Sequence, residues 1–205
     1  MRWTFIILIL FAATPRAIAQ TESPQQRISR LTLLIQTQPD SLNSYVSRSK
    51  AYNDNKEYER AIDDCNKVLN KEPNNKEALK NRGYANYYLR KYDFAIADFN
   101  KFVAIDTKDA LVWNWRGNNY YYLNNLDAAI DDYSKALQLN PSYAMAWFNR
   151  GDAYYWQEKY DLAIGDLSES IRLDPKLMRA WYVRGMCYYY QNKLESAIAE
   201  FDRAL

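Results

Sequence analysis

The sequence predicts an all-α fold, a solenoid of stacked helix-turn-helix units, and three observations carry that prediction. Arg-Gly recurs at Arg82-Gly83, Arg116-Gly117, Arg150-Gly151 and Arg184-Gly185, and each step (116−82, 150−116, 184−150) is 34 residues. Ala-Ile pairs keep the same step at Ala61-Ile62, Ala95-Ile96, Ala129-Ile130, Ala163-Ile164 and Ala197-Ile198. Prolines punctuate the joints at Pro39, Pro73, Pro141 and Pro175, with Thr107 in the remaining slot. A fixed period in this range marks units that stack because none can bury its apolar face alone.

The first element in chain order is an export signal over residues 1–19. Arg2 supplies the positive charge, Trp3 to Ala13 is almost wholly apolar, Thr14-Pro15 closes it, and Ala17-Ile18-Ala19 is a small-x-small cleavage pattern. Gln20 is then the expected first mature residue. The apolar stretch is too short to span a bilayer, and no Cys follows the small residues to carry a lipid. The chain is therefore expected to be exported, periplasmic or secreted, with no membrane span after cleavage. Removing Arg2 and Arg16 from 27 basic residues leaves 25 against 25 acids. That neutral balance gives no nucleic-acid footprint.

Residues 20–41 form an N-terminal segment with a single capping helix, Pro24 to Gln38, whose stripe is Ile28, Leu31, Leu34 and Ile35. Ser23-Pro24 offers a cap and a first-turn proline. Five units follow at 42–75, 76–109, 110–143, 144–177 and 178–205, the last stopping inside its second helix. In the fourth unit Trp147, Gly151 and Tyr154 lie at helical spacing, the turn falls near Glu158-Lys159, and Ala163, Leu167 and Ile171 stripe a second helix ended by Asp174-Pro175. A turn that short makes the two helices antiparallel.

The residues Trp147, Gly151, Tyr154, Ala163, Leu167 and Pro175, with their counterparts in neighbouring units, resemble the tetratricopeptide-repeat family over roughly residues 42–205. The resemblance implies a right-handed superhelix whose first helices line a concave groove. It implies binding in general, because this fold hosts many unrelated binders.

Arginines stand at 48, 82, 116, 150 and 184, and an acid lies sixteen residues after each: Asp64, Asp98, Asp132, Asp166 and Glu200. Read as an anion-binding line, the arginines leave the acid column unexplained. Read as one partly buried ion pair per hairpin, both columns are accounted for, since a buried Arg without a partner is costly. The Gly beside four of these arginines, with the small Ser49 beside Arg48, lets the helices approach closely.

A helical wheel combined with the resemblance places Tyr88, Trp115, Tyr122, Phe148, Trp156, Tyr182 and Tyr190 in the groove, with Asn81, Asn118 and Asn149 among them. Rings interleaved with amides bury apolar anchors and hydrogen-bond backbone. The bland alternative is that the rings pack on adjacent repeats and stiffen the array. Some family members clamp a C-terminal carboxylate; Asn118, Asn149 and Arg179 fit three of five places, while Asn114 and Val183 occupy positions where the clamp has basic residues. The expected partner is a protein or peptide segment. Glycan or cell-wall-polymer binding by the same rings is the alternative, and a purely structural piece contacted at its ends is a third.

The chain has no His, and it shows no phosphate loop, nucleophile elbow or metal-spaced Cys pair. No enzyme activity, cofactor or metal site is expected. Cys65 and Cys187 fall in apolar columns several repeats apart and read as inert core thiols. Finally, Ile198 and Leu205 on the last hairpin are expected on an open apolar face, favouring a weak end-to-end homodimer.

Overall fold

A computed structural model describes residues 22–204; the expected signal segment and Leu205 lie outside the described residues. The capping helix is α1 (Pro24–Thr37). Five hairpins follow: α2 (Leu42–Asp54) with α3 (Tyr58–Lys71), α4 (Lys76–Tyr88) with α5 (Tyr92–Ile105), α6 (Ala110–Tyr122) with α7 (Leu126–Leu139), α8 (Ala144–Trp156) with α9 (Tyr160–Leu173), and α10 (Met178–Tyr190) with α11 (Leu194–Ala204). α1 starts with a full capping box, Ser23 accepting from the Gln26 amide and Gln26 accepting from that of Ser23, and buries Ile28, Leu31 and Ile35.

The hairpin turns share one backbone solution. Lys56, Arg90, Asn124, Glu158 and Asn192 have φ of 58–61°, the left-handed region. In the fourth hairpin the Lys159 amide donates to the Tyr154 carbonyl at 2.9 Å and that of Glu158 to the Tyr155 carbonyl at 2.9 Å. This is a Schellman closure, built here without glycine. Between units, Asp106, Asn140 and Asp174 side chains accept from the amides two residues on, at 2.9, 3.1 and 3.1 Å. That Asx turn explains why Thr107 can stand where the other joints carry proline. The joint is then locked by the tryptophan column: the indole N–H groups of Trp113, Trp147 and Trp181 donate to the carbonyls of Thr107, Pro141 and Pro175 at 2.9, 2.8 and 3.0 Å.

The glycine column sets the distance between paired helices. A methyl group on Gly83, Gly117 or Gly185 would lie 2.7 Å from the ring of Phe99, Tyr133 or Phe201, and one on Gly151 would lie 2.9 Å from Leu167. Each opposing residue is sixteen positions on. In the first unit the same two columns hold Ser49 and Cys65, both fully buried, so a larger residue on the first helix meets a smaller one on the second.

The arginine column pairs as expected, and each guanidinium is bidentate. The closest approaches are 2.7 Å for Arg48–Asp64, 2.7 Å for Arg82–Asp98, 2.6 Å for Arg116–Asp132, 2.7 Å for Arg150–Asp166 and 2.8 Å for Arg184–Glu200. The remaining Nη1 reaches backwards, to Thr32 on the capping helix and to Asn66, Asn100, Ser134 and Ser168 on the preceding second helix, at 2.6–3.0 Å. Each Arg therefore ties its own hairpin shut and also fastens it to the unit before. Trp113, Trp147 and Trp181 lie under Arg116, Arg150 and Arg184 at 4.7, 4.9 and 5.0 Å. Burial pushes the Asp132 carboxyl above its ordinary range even with Arg116 beside it. The pair serves to hold geometry more than to add net stability.

First helices of successive units touch one another, α2 with α4, α4 with α6, α6 with α8 and α8 with α10. Successive second helices do not touch among the described residues. The array therefore curves with the first helices inside, which makes their outward sides the concave surface. Cys65 and Cys187 are buried and unpaired, with thiols pushed up to about 12 by desolvation, as inert core thiols require. No described helix is long and apolar enough to cross a membrane.

Candidate functional site

The last residue of each first helix from the second unit on is an exposed ring: Tyr88 at 43 %, Tyr122 at 54 %, Trp156 at 61 % and Tyr190 at 53 %. The 34-residue period thus delivers one ring per unit along one edge of the groove. Three of them have a face already covered. Tyr88 stacks on Tyr58, Tyr122 on Tyr92 and Tyr190 on Tyr160, with centroids at 5.0, 5.2 and 5.5 Å and planes within 7°. Each partner is the first residue of the preceding second helix. At the matching place under Trp156 stands Leu126, so Trp156 has no stacked partner and is the most exposed of the four.

The other expected groove residues divide. Trp115 is half-buried, wedged between Tyr84 and Tyr87 with both centroids at 4.9 Å, and so carries structure as well as surface. Phe148 differs from the expectation: it is 2 % exposed and belongs to the core with Leu167, Val183 and Cys187. The wheel misplaced it because α10 closes over α8, a contact that no single-helix projection contains. The Arg179 guanidinium lies over its ring, 5.0 Å from the centroid. Tyr182 is exposed but sits on the last unit against Phe201 at 5.7 Å.

The asparagines are joints between first helices. Asn81 donates to the Val46 carbonyl at 3.3 Å and the Ser49 hydroxyl at 2.9 Å. Asn149 donates to both Asn114 and Asn118 at 3.0 Å, and the Asn118 carbonyl oxygen also accepts from the Tyr133 hydroxyl at 2.9 Å. These amides lock neighbouring units into register first, and only their remaining atoms face the groove.

Beside this ladder lies a cavity of about 320 Å³ between α6, α8 and the start of α10. Its walls bring together five of the expected residues, Trp115, Asn118, Tyr122, Phe148 and Asn149, with Arg179 at the rim. Asn81, Tyr88, Trp156, Tyr182 and Tyr190 lie outside it. Its floor is Asp152, a residue the sequence reading missed; it is 9 % exposed and takes the Tyr121 hydroxyl at 2.8 Å. Burial pushes the Asp152 carboxyl above its ordinary range, with Tyr121 and Arg179 pulling the other way. A signal was present: the column Lys50, Tyr84, Asn118, Asp152, Met186 holds one acid only. Among the described residues no group of acids, cysteines or histidines could hold a metal ion.

Comparison with known proteins fits this architecture. Family models described as tetratricopeptide repeat match residues 42–75, 144–177 and 178–205, and one described as TPR repeat matches residues 117–157. Among solved structures, the chain is similar to a crystal structure of MamA protein, with 28 % identity over 82 % of this chain and 91 % of that one, at a TM-score of 0.75. MamA from Desulfovibrio magneticus RS-1 shares 19 % identity over 80 % and 93 % at 0.75. YrrB, described as a TPR protein with an unusual peptide-binding site, shares 21 % over 86 % and 91 % at 0.73. At those last two identities the likeness is one of fold. No curated protein sequence matches.

Proposed function

The chain belongs to the tetratricopeptide-repeat family, and on that footing we propose that it is an exported protein-binding scaffold, an adaptor holding a partner's segment along the groove of its first helices. The observation that carries this reading is the edge row of exposed rings, one per unit, running beside a preformed cavity. Evenly spaced rings on a concave face suit an extended or helical segment, whose side chains recur at comparable intervals. The peptide-binding site described for YrrB, a protein of the same fold, supports the same class of ligand. Tetratricopeptide scaffolds typically act by binding, and a groove of hydrogen-bonded amides and rings supports a non-catalytic role here too. Export rests on the charge, apolar stretch and cleavage pattern of residues 1–19.

A panel of immobilised random-sequence peptides, probed with wild type and Trp156→Ala, tests the groove. Trp156 is the ring with least structural work, so its loss should weaken bound peptides by about 2 kcal/mol or more while the melting temperature stays nearly constant. Retention on peptidoglycan with no peptide binding would replace the reading with the glycan one. The last unit supports a further, weaker association: Ile198 is 61 % exposed, whereas its counterpart Ile164 is half-buried. An end-to-end homodimer through that face predicts a dimer by sedimentation that Ile198→Lys dissolves.

A further inference from the structure

The cavity floored by Asp152 asks for a ligand of definite charge. The carboxylate is nine-tenths buried, one oxygen is bonded by Tyr121, and Oδ1 accepts no hydrogen bond among the described residues yet is not sealed from the cavity. An ionised carboxyl in that position is largely desolvated and has no ion-pair partner among the described residues, Arg179 acting on it only from a distance. Seven aromatic side chains share the lining with it, Trp115, Tyr122 and Phe148 among them. Ring faces and a desolvated carboxylate both attract a cation, and both attractions grow as water is excluded.

We propose that this cavity receives a cationic side chain, a lysine ammonium or an arginine guanidinium, of the segment bound in the groove. The proposal rests on the groove reading and names what this pocket selects. The cation would complete the Oδ1 side of Asp152 and lie against the faces of Trp115 and Tyr122. Arg179 is the one charge that argues the other way. It stands at the rim over Phe148, exposed, and forms no ion pair or hydrogen bond among the described residues. Its charge is solvated, so its attraction for an anion is screened. The charge of Asp152 is desolvated, so a partner there gains far more. That difference in burial decides the sign: the pocket selects a cation.

Nα-acetyl amides of lysine, arginine, norleucine and glutamate, titrated by calorimetry against the full chain, test this directly. Lysine and arginine amides should bind at least about tenfold more tightly than norleucine amide. Asp152→Asn, which keeps the shape and can still accept from Tyr121, should remove that preference and leave norleucine amide unchanged. Thermal unfolding of the variant shows that it is folded. A preference for glutamate amide that disappears in Arg179→Gln would overturn the proposal, as would a lysine preference untouched by Asp152→Asn. The random-peptide panel separates this proposal from its premise. Peptides that need Trp156 but show no enrichment in lysine or arginine leave the groove standing and refute the cation pocket. A panel with no binder at all refutes both.

Discussion

Exchanging the contact between Gly117 and Tyr133 for the pair found in the first unit tests how the hairpins are closed. A Cβ at Gly117 would sit 2.7 Å from Tyr133 Cε1, 2.9 Å from Cδ1 and 3.2 Å from the Ala129 carbonyl oxygen. Carbon contacts are comfortable at about 3.5–4.0 Å, so the helices must part by about 1 Å or the ring must move. The ring has nowhere to go, being 1 % exposed with its hydroxyl held by Asn118 at 2.9 Å. Overpacking of this kind costs about 1–3 kcal/mol, while leaving glycine in a helix interior returns up to about 1 kcal/mol. Gly117→Ser should thus destabilise by about 1–2 kcal/mol. Tyr133→Cys alone should cost about 3–5 kcal/mol, because a buried ring becomes a cavity. The double variant recreates Ser49 opposite Cys65, and the serine side chain now fills space instead of colliding. Urea unfolding followed by circular dichroism should show the double variant more stable than the sum of the singles by about 1–2 kcal/mol. Strict additivity would mean that the two columns are independent, and the account of helix spacing would fail.

Arg116→Ala should cost about 3–5 kcal/mol by leaving Asp132 buried and unpaired, and Arg116→Met with Asp132→Leu should recover most of that loss in the same urea assay. Glu158→Gly should raise stability by about 0.5–1 kcal/mol, since φ of 60° strains a residue with a Cβ and the turn's hydrogen bonds need no side chain. Asp152→Asn should be more stable than wild type at neutral pH. The folded carboxyl titrates above its ordinary range, so ionisation costs wild-type stability, a penalty absent below the unfolded value and full above the folded one. The variant's advantage in thermal melts should therefore shrink as pH falls through that window and vanish below it.

The fold was legible because the same physical demand recurs in every unit. Arg116 needs an acid, so Asp132 is there, and the sixteen-residue offset could be read as facing positions across a turn. The backward contact of Arg116 to Asn100 was equally periodic, but the column Thr32, Asn66, Asn100, Ser134, Ser168 mixes hydroxyls and amides, and its common property is only acceptance of a hydrogen bond. The site was less legible, for a different reason. Tyr122 and Trp156 were found because they repeat, whereas Asp152 matters because it does not. Phe148 was misplaced because its burial depends on α10, and a wheel drawn for one helix knows nothing of the next. Whether a ring is free or stacked turned on residue pairs such as Tyr92 with Tyr122 and Leu126 under Trp156, thirty residues apart across two helices.

The central claim, that a partner segment lies along the first helices, is tested most directly by site-specific photocrosslinking in the native host. A photoreactive residue is placed at Tyr122 on the groove edge and, in a separate chain, at Lys101 on the exposed side of a second helix. The account predicts a discrete adduct at position 122 that is absent at 101, lost when Trp156→Ala is added, and mapped by mass spectrometry to one contiguous peptide of the partner. Equal adducts at both positions, or an adduct at 122 that survives Trp156→Ala unchanged, would contradict it.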